Sequence, residues 1–382
     1  MERSRVKKIA IIVSSPEFVK AALTDQIEAL SHIYHISLAL NVKESDALSF
    51  PSAKVEIVAA PIVRHISILS DLRGLLFLVA LFLRRKFDVV HSFTPKAGLL
   101  AALSGTITRI PVRIHTFTGQ VWVTRSGPAR LVLKTLDKLV ARLITHALVD
   151  SPSQRGFLVR EGVLSEKKSR VLANGSISGV DPARFRPNAE WKRKIRQLLR
   201  ISDDGVVFLY VGRLKVDKGV LDLAQAFSGV SGGTREAWLL IVGPDEEGLQ
   251  PRIEIACATA RSRLRFVGLT AAPEEYMAAA DVLCLPSYRE GFGSVLIEAA
   301  SAGLPAVASN IYGITDAIEP GATGLLHAPG DVNSLQVKMQ KMIDDPRLRA
   351  ALGREARSRA HRLFAKDLVM SALVEFYGSV VG

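Results

Sequence analysis

Two carboxylates stand eight residues apart, Glu290 and Glu298, with Gly291, Phe292, Gly293 and Ser294 directly after the first. The run before them, Asp281-Val-Leu-Cys-Leu285, reads as a buried strand. The run after them, residues 295–302, reads as a helix closed by Gly303 and followed by Pro305. The expected unit is a strand, a glycine turn and a helix N-terminus, with Ser294 placed as its cap. Gly291 and Gly293 allow the backbone to approach a ligand closely. The free N–H groups of a helix start suit a phosphate. Glu298, on the early turns of that helix, cannot hold an anion, but it can accept hydrogen bonds from hydroxyls such as a ribose diol. The turn therefore looks built for a sugar nucleotide. The same residues, taken alone, also fit a capping carboxylate and a solvated helix glutamate.

Two further groups can do related chemistry. In Val211-Gly212-Arg213-Leu-Lys-Val-Asp-Lys218-Gly219, a strand ends at Gly212 and two cations follow before a helix begins. Arg213 can grip phosphate oxygens bidentately and Lys218 adds a point charge; taken alone, the pair is more readily read as ordinary solvated turn charges. His115, in Ile114-His-Thr-Phe-Thr118-Gly119-Gln-Val-Trp122, closes a strand run. In a parallel sheet that end faces the ligand crevice, although a lone histidine there is more often a satisfied core residue. No Asp-x-Asp occurs in the chain. The carboxylates that hold a divalent ion in many nucleotide-sugar enzymes are thus missing, and Arg213, Lys218 and the helix start are expected to neutralise a leaving diphosphate without metal.

These groups need a frame, and the chain of 382 residues is long enough for two full cores. Apolar strand runs alternate with helical stretches, which implies doubly wound parallel sheets. Strands are expected at 6–13, 33–40, 54–58, 87–90, 112–115, up to 149, and 170–173. Helices are expected at 18–30, 68–85, 96–107 and 129–143, with Ser151 capping the next. The Gly-, Asn-, Ser- and Pro-rich segment 174–187 breaks the pattern. The alternation then restarts with strands at 206–211, 238–242, 264–267, 282–285 and 306–308, and ends in helical tails at 335–364 and 368–377. The expected division is 1–180, 181–365 and a last helix within 366–382. Cys257 and Cys284 match no metal spacing and read as core residues in a reducing compartment. No signal peptide is evident. The most apolar run, 75–83, is far below the ~20 residues of a spanning helix and reads as a buried one.

Together the motifs resemble one family. E-G-F-G-x-x-x-x-E after a strand ending in Pro-Ser, and G-R-L-x-x-x-K-G, are similar to the signatures of the retaining glycosyltransferases of family 4, which have the GT-B fold. The resemblance implies two facing Rossmann-like domains, an N-terminal acceptor domain and a C-terminal nucleotide-sugar domain, with the last helix returning to the first. It implies that Glu290 and His115 face the donor sugar, Glu298 holds the ribose, and Arg213 and Lys218 grip the pyrophosphate. Gly212, Val267, Gly291, Phe292, Gly293 and Ser294 join the donor side. Lys96, Thr118 and Gly119 join the acceptor side. Thr94-Pro-Lys-Ala-Gly98, Asp150-Ser-Pro-Ser-Gln-Arg155 and Ile311-Tyr-Gly-Ile-Thr-Asp316 resemble a branch building capsule, O-antigen and lipid-linked oligosaccharides, including N-acetylhexosaminyltransferases acting on undecaprenyl-diphosphate sugars. Many relatives carry a Gly-Gly loop after strand one. Here Val13-Ser-Ser-Pro-Glu-Phe18 has no glycine, so no phosphate contact is assigned to it.

The expected activity is retaining, metal-independent transfer of a hexosyl or N-acetylhexosaminyl group from a nucleoside diphosphate sugar, preferably UDP-linked, to a lipid-linked saccharide. A nucleotide-sugar 2-epimerase of the same fold and a basic nucleic-acid-binding protein are the rivals. Against the second, no binding module or Arg/aromatic cluster is recognisable. Net charge is +13, and residues 1–180 hold 25 Lys+Arg against 13 Asp+Glu, so the excess lies almost wholly in the first half. That half is expected to meet an anionic membrane surface at the cytoplasmic face, through Arg84, Arg85 and Lys86 and a helix stripe of Arg130, Lys134, Lys138 and Arg142. The helix positions Leu131, Val132, Leu136, Leu139 and Val140 are expected to pack inward. A solvated basic face without a partner is the plain alternative.

Overall fold

Strand runs apolar on both faces can be buried only between helices, and the chain does this twice. The computed structural model describes residues 5–41, 48, 50–63, 67–230 and 236–381. It divides into two units, Met1–Ser178 with Asp367–Gly382, and Gly179–Lys366.

The first unit runs β1 (Lys8–Ile12), α1 (Pro16–Phe18), a π-helical turn Val19–Leu23, α2 (Thr24–Ser31), β2 (His35–Leu40), β3 (Val55–Ala59), α3 (Ile68–Arg85) and β4 (Val89–Ser92). It continues with α4 (Pro95–Ile107), β5 (Val112–Phe117), α5 (Gly127–Leu143), β6 (His146–Val149), α6 (Pro152–Arg160) and β7 (Ser169–Arg170). Among the described residues the strands form one parallel sheet in the order β3-β2-β1-β4-β5-β6-β7. The two-residue period of β1 sorts its side chains. Ile9 and Ile11 join a core with Leu23, Ile27 and Leu30, while Ala10 and Ile12 join another with Leu78, Phe82 and Leu100.

The second unit runs α7 (Ala189–Leu199), β8 (Val206–Val211), α8 (Val220–Ser228), β9 (Ala237–Val242), α9 (Gln250–Ala256), β10 (Leu264–Gly268), α10 (Pro273–Ala279) and β11 (Val282–Leu285). It ends with α11 (Ser294–Ser301), β12 (Ala306–Ser309), α12 (Ile314–Ala317), β13 (Gly324–His327), α13 (Val332–Asp344) and α14 (Pro346–Phe364). The parallel order is β10-β9-β8-β11-β12-β13. Val206, Phe208 and Tyr210 face one core, Val207 and Leu209 the other. Asn188 caps α7 by accepting from the Glu190 and Trp191 amides at 2.9 and 3.0 Å. Arg196 is 2% exposed and is bound by Asp281 at 2.7 Å and by the carbonyls of Ala279, Ser202, Asp203 and Gly205. The final helix, α15 (Lys366–Val381), packs Leu373, Phe376 and Tyr377 into the first unit's core. Cys257 and Cys284 are buried free thiols, as their apolar contexts suggested.

Several local expectations are corrected. The helix expected at 18–30 is three pieces, because a π-helical turn separates α1 from α2. The strand expected at 170–173 is only β7; Ala173 takes φ 46°, a left-handed conformation that ends it. The tail expected at 335–364 breaks at Asp345-Pro346, where Pro346 starts α14 and Asp345 caps it. The strand β13 lay unread in its sequence. The run 75–83 is not wholly buried: α3 buries Gly74, Leu78 and Phe82, and leaves Leu76 and Leu83 exposed. On α5 the buried positions are Val140 and Ala141, while Leu131, Val132 and Leu139 are exposed. The inward face therefore runs along Leu133, Asp137 and Val140, one residue out of phase with the expected stripe. Among the described residues no helix is long and apolar enough to cross a membrane.

Candidate active site

In a parallel sheet all strands end at one edge, and the loops there carry ligand groups. In the second unit β8, β9 and β11 end together. The loop after β8 carries Arg213, Lys215, Asp217 and Lys218, and the loop after β11 carries Ser287, Arg289 and Glu290. Two glycines hold this edge in shape. Gly219 takes φ +68°, and a Cβ there would lie 2.0 Å from the Pro286 carbonyl oxygen. Only a residue without Cβ lets the β8 loop seat against the end of β11. Gly313, at φ +84°, lies under the second loop, where a Cβ would meet the Gly291 carbonyl oxygen at 2.5 Å.

That seating brings two of the singled-out residues into contact. Lys218 Nζ donates to Glu290 Oε1 at 2.7 Å, and Ser287 Oγ donates to the same oxygen at 2.8 Å. Lys218 and Glu290 are 18% and 13% exposed, so the pair is held away from bulk water but remains open to a ligand. Tyr210 OH donates to the Arg213 carbonyl at 2.8 Å and fixes where Arg213 leaves the strand. The Arg213 guanidinium reaches Glu246 at 3.3 Å, and Lys215 reaches Glu246 at 3.3 Å and Glu247 at 3.2 Å. Arg289 pairs with Asp217 at 2.8 Å, and Tyr288 OH donates to Asp222 at 2.6 Å. The sequence reading passed over Ser287, Arg289, Asp217 and the two glutamates 246 and 247. Arg289 directly precedes Glu290 and was the signal available for it.

Ser294 does not cap α11. Gly293 is the capping residue, at φ 73°, and no side chain bonds the first turn. A serine oxygen could satisfy a leading amide; Gly293 has no side chain to do so, and only its carbonyl engages the first turn, accepting from the Leu296 amide at 2.8 Å, which leaves the Ser294 and Val295 amides without a side-chain cap. Gly291 and Phe292 are buried in the turn, and Phe292 stacks edge-on with Phe364 at 5.1 Å. Glu298 lies one turn into α11, half-buried; its carbonyl accepts from the Ala302 amide at 3.1 Å, while its carboxylate has no hydrogen bond or ion pair among the described residues. Burial pushes its carboxyl up to about 7, with the Glu274 charge adding and Arg184 opposing. Val267 packs on the core at the end of β10, and Gly212 follows β8 directly.

In the first unit His115 sits in β5, 3% exposed. Its Nδ1 bonds Ser92 Oγ at 2.9 Å, its ring lies edge-on to Phe117 at 4.6 Å, and a Cβ on Gly98 would meet it at 2.4 Å. Burial lowers its pKa to about 3, so the imidazole is neutral. A second buried histidine escaped the sequence reading. His91 bonds Tyr377 OH at 2.7 Å and Thr116 Oγ1 at 2.8 Å, which satisfies both nitrogens and marks it as structural. Lys96 is not a free cation: it forms an ion pair with Asp71. Thr118 and Gly119 follow β5, Thr118 half-buried and Gly119 buried. Asp150, which closes β6, is buried with Oδ1 unpartnered and its carboxyl pushed up to about 8 by burial. Among the described residues no group of three or more His, Cys, Asp or Glu is placed to hold a metal.

Two cations, a glutamate bound to one of them and a helix start without a side-chain cap lie at one sheet edge, a set of groups with the chemistry to hold a diphosphate. Known proteins are similar to this chain over most of its length. Residues 192–359 match the model for glycosyl transferases group 1, and residues 27–175 match that for the glycosyl transferase 4-like domain. The Staphylococcus aureus capsular polysaccharide biosynthesis glycosyltransferase CapM is 30% identical over 84% of this chain and 84% of its own. The chain belongs to the family 4 glycosyltransferases. An Escherichia coli UDP-Gal:alpha-D-GlcNAc-diphosphoundecaprenol alpha-1,3-galactosyltransferase is 27% identical over 74% of this chain and 73% of its own. The structure of Anabaena HepE in complex with UDP-glucose superposes with a TM-score of 0.81 at 20% identity, over 97% of this chain and 99% of that one. That likeness carries the fold, and the two Rossmann-like units of this glycosyltransferase are those of GT-B enzymes.

Proposed function

We propose that this glycosyltransferase moves a hexosyl or N-acetylhexosaminyl group from a UDP-sugar to a lipid-linked saccharide in the assembly of a surface polysaccharide, with retention and without a metal. The observation that carries the reading is the contact of Lys218 with Glu290 beside Arg213, at the joined ends of β8 and β11. As the bond between anomeric carbon and diphosphate oxygen breaks, negative charge grows on the leaving group. Arg213, Lys218 and the uncapped start of α11 are placed to absorb it. Glu290 keeps its carboxylate fixed by Lys218 and Ser287, so it can orient sugar hydroxyls without moving. Neutral His115 serves as a hydrogen-bonding contact to the sugar, and half-buried Glu298 accepts from the ribose diol. The acceptor hydroxyl attacks on the face the diphosphate leaves, and the departing phosphate takes its proton. No separate nucleophile is invoked.

The donor class is supported by HepE, solved with UDP-glucose, and the acceptor class by the diphosphoundecaprenol-sugar galactosyltransferase. The first unit's basic excess supports work at an anionic inner membrane face. Lys134 is bound to Glu161 at 2.5 Å, and both Arg130 and Lys134 lie over the Trp122 ring, at 5.6 and 5.4 Å. Lys138 and Arg142 are left exposed for the surface. The test is a panel of nucleotide sugars with an undecaprenyl-diphosphate saccharide, with and without chelator. Transfer that survives chelation and keeps the anomeric configuration supports the reading. Strict manganese dependence overturns metal independence. Product formed from the nucleotide sugar alone, as a 2-epimer, overturns transfer.

A further inference from the structure

Helix α3 is amphipathic in an unusual sense: its outward face is also apolar. Gly74, Leu78 and Phe82 turn inward, with Gly74 Cα so close to Pro61 and Leu100 that a Cβ would meet them at 3.2 and 3.3 Å. The opposite face presents Leu69, Leu72, Leu76, Ala80 and Leu83, spaced three or four apart and all exposed. Leu76 is 62% and Leu83 61% exposed, so these are not leucines at the edge of a core. From 69 to 83 the stripe is ~21 Å long. Helix α4 packs against both α3 and α5. Helix α5 adds outward Leu131, 68% exposed, and Val132. A contiguous exposed apolar face of this kind marks an interaction surface rather than ordinary scatter.

The charges around it say what covers it. Residues 67–144 contain twelve Lys and Arg and three Asp and Glu. All three acids are engaged: Asp71 with Lys96, Asp88 with Arg5 and the Lys8 amide, Asp137 with the Trp122 indole. Arg73, Arg84, Lys138 and Arg142 are exposed. A second copy of the chain on this face would set cations against the same cations, because a two-fold contact is self-facing. An anionic bilayer meets both features at once, taking leucines into its headgroup boundary and cations at its phosphates.

We infer that the outer face of α3, Leu69, Leu72, Leu76 and Leu83, inserts into an anionic phospholipid surface and anchors the first unit there by apolar contact, with Arg73 and Arg84 at the headgroups. This deepens the reading of a lipid-borne acceptor, on which its purpose rests. It is tested with neither donor nor acceptor present, so the two can fail separately. Vesicles of phosphatidylglycerol and phosphatidylethanolamine, or of phosphatidylcholine alone, are sedimented with the full chain at low salt and at 0.5 M NaCl. The wild type is expected to need phosphatidylglycerol, and to keep a bound fraction at high salt, where surface charges are screened. Leu72→Gln/Leu76→Gln/Leu83→Gln should lose on the order of 30-fold or more in partitioning and all salt-resistant binding. Its melting temperature should match the wild type, since the three side chains are exposed and lie outside the buried core cluster beneath α3. An environment-sensitive dye on Leu76→Cys should blue-shift on vesicles, and one on Lys20→Cys, on the opposite side of the sheet, should not. Vesicle binding unchanged in the triple variant, binding wholly abolished by salt, an unshifted dye at 76, or a wild-type dimer in solution that the triple variant lacks would each overturn the inference.

Discussion

Glu298 makes donor binding depend on pH in a way that its position predicts. The carboxyl is pushed up to about 7 by burial on α11, against an ordinary 4.5. If it accepts from a ribose diol, only its ionised form binds donor well, and binding must release a proton from whatever fraction is protonated. A group at about 7 is ionised to roughly nine-tenths at pH 8 and a tenth at pH 6, so the apparent Kd for UDP-glucose should rise ~10-fold over that range. The diester phosphates of the sugar nucleotide carry full charge throughout and contribute nothing to the slope. Glu298→Gln removes the titration and should flatten the profile. The assay is calorimetric titration at pH 6, 7 and 8 in two buffers of different ionisation enthalpy, which also counts the released proton. A flat wild-type profile, or an equal slope in Glu298→Gln, would refute the assignment of this residue to the nucleotide.

The same shift sets stability. The folded pKa lies above the unfolded one, so the contribution is full below pH 4.5 and is lost as pH rises through about 7. Glu298→Gln should therefore raise the melting temperature at pH 8 and leave it nearly unchanged at pH 5, with a gain on the order of 1–3 kcal/mol at the higher pH. Arg213→Ala and Lys218→Ala should each cut turnover by ~10²–10³ with a smaller change in donor affinity, since leaving-group charge is greatest in the transition state; wild-type turnover in either removes it from the mechanism. Gly219→Ala drives a Cβ against the Pro286 carbonyl at a left-handed φ and should cost about 2–4 kcal/mol by denaturant melting while weakening donor binding through Lys218. Arg196→Met leaves Asp281 and four carbonyls without their shared donor and should destabilise by ~3–5 kcal/mol in the same assay; a change below about 1 kcal/mol would show that water replaces it.

Much of the architecture is written in local patterns, and local patterns are what a sequence displays. β8, β9 and β11 are continuous apolar runs, because both their faces are covered, and Gly303 and Pro305 close α11 where a helix must stop. The Glu290 turn and the Arg213 loop were legible because glycines and charges at a strand end have few other uses. What the sequence left undecided are the distances and the faces. Nothing in the spacing of Lys218 and Glu290, 72 residues apart, says that they touch; parallel pairing of β8 with β11 and the missing Cβ of Gly219 bring that about. Ser294 read as a cap because capping chemistry favours serine, yet the turn enters the helix one residue earlier, in a left-handed conformation only Gly293 takes easily. The apolar runs of α3 and α5 read as core because hydrophobicity alone does not say which side of a helix is covered. The inward face of α3 packs on the sheet and α4, α5 packs on the other side of α4, and the leucines on their opposite faces stand in the open. Burial decides the rest: it holds His115 neutral and lifts Glu298, and neither shift can be read from the identity of the residue.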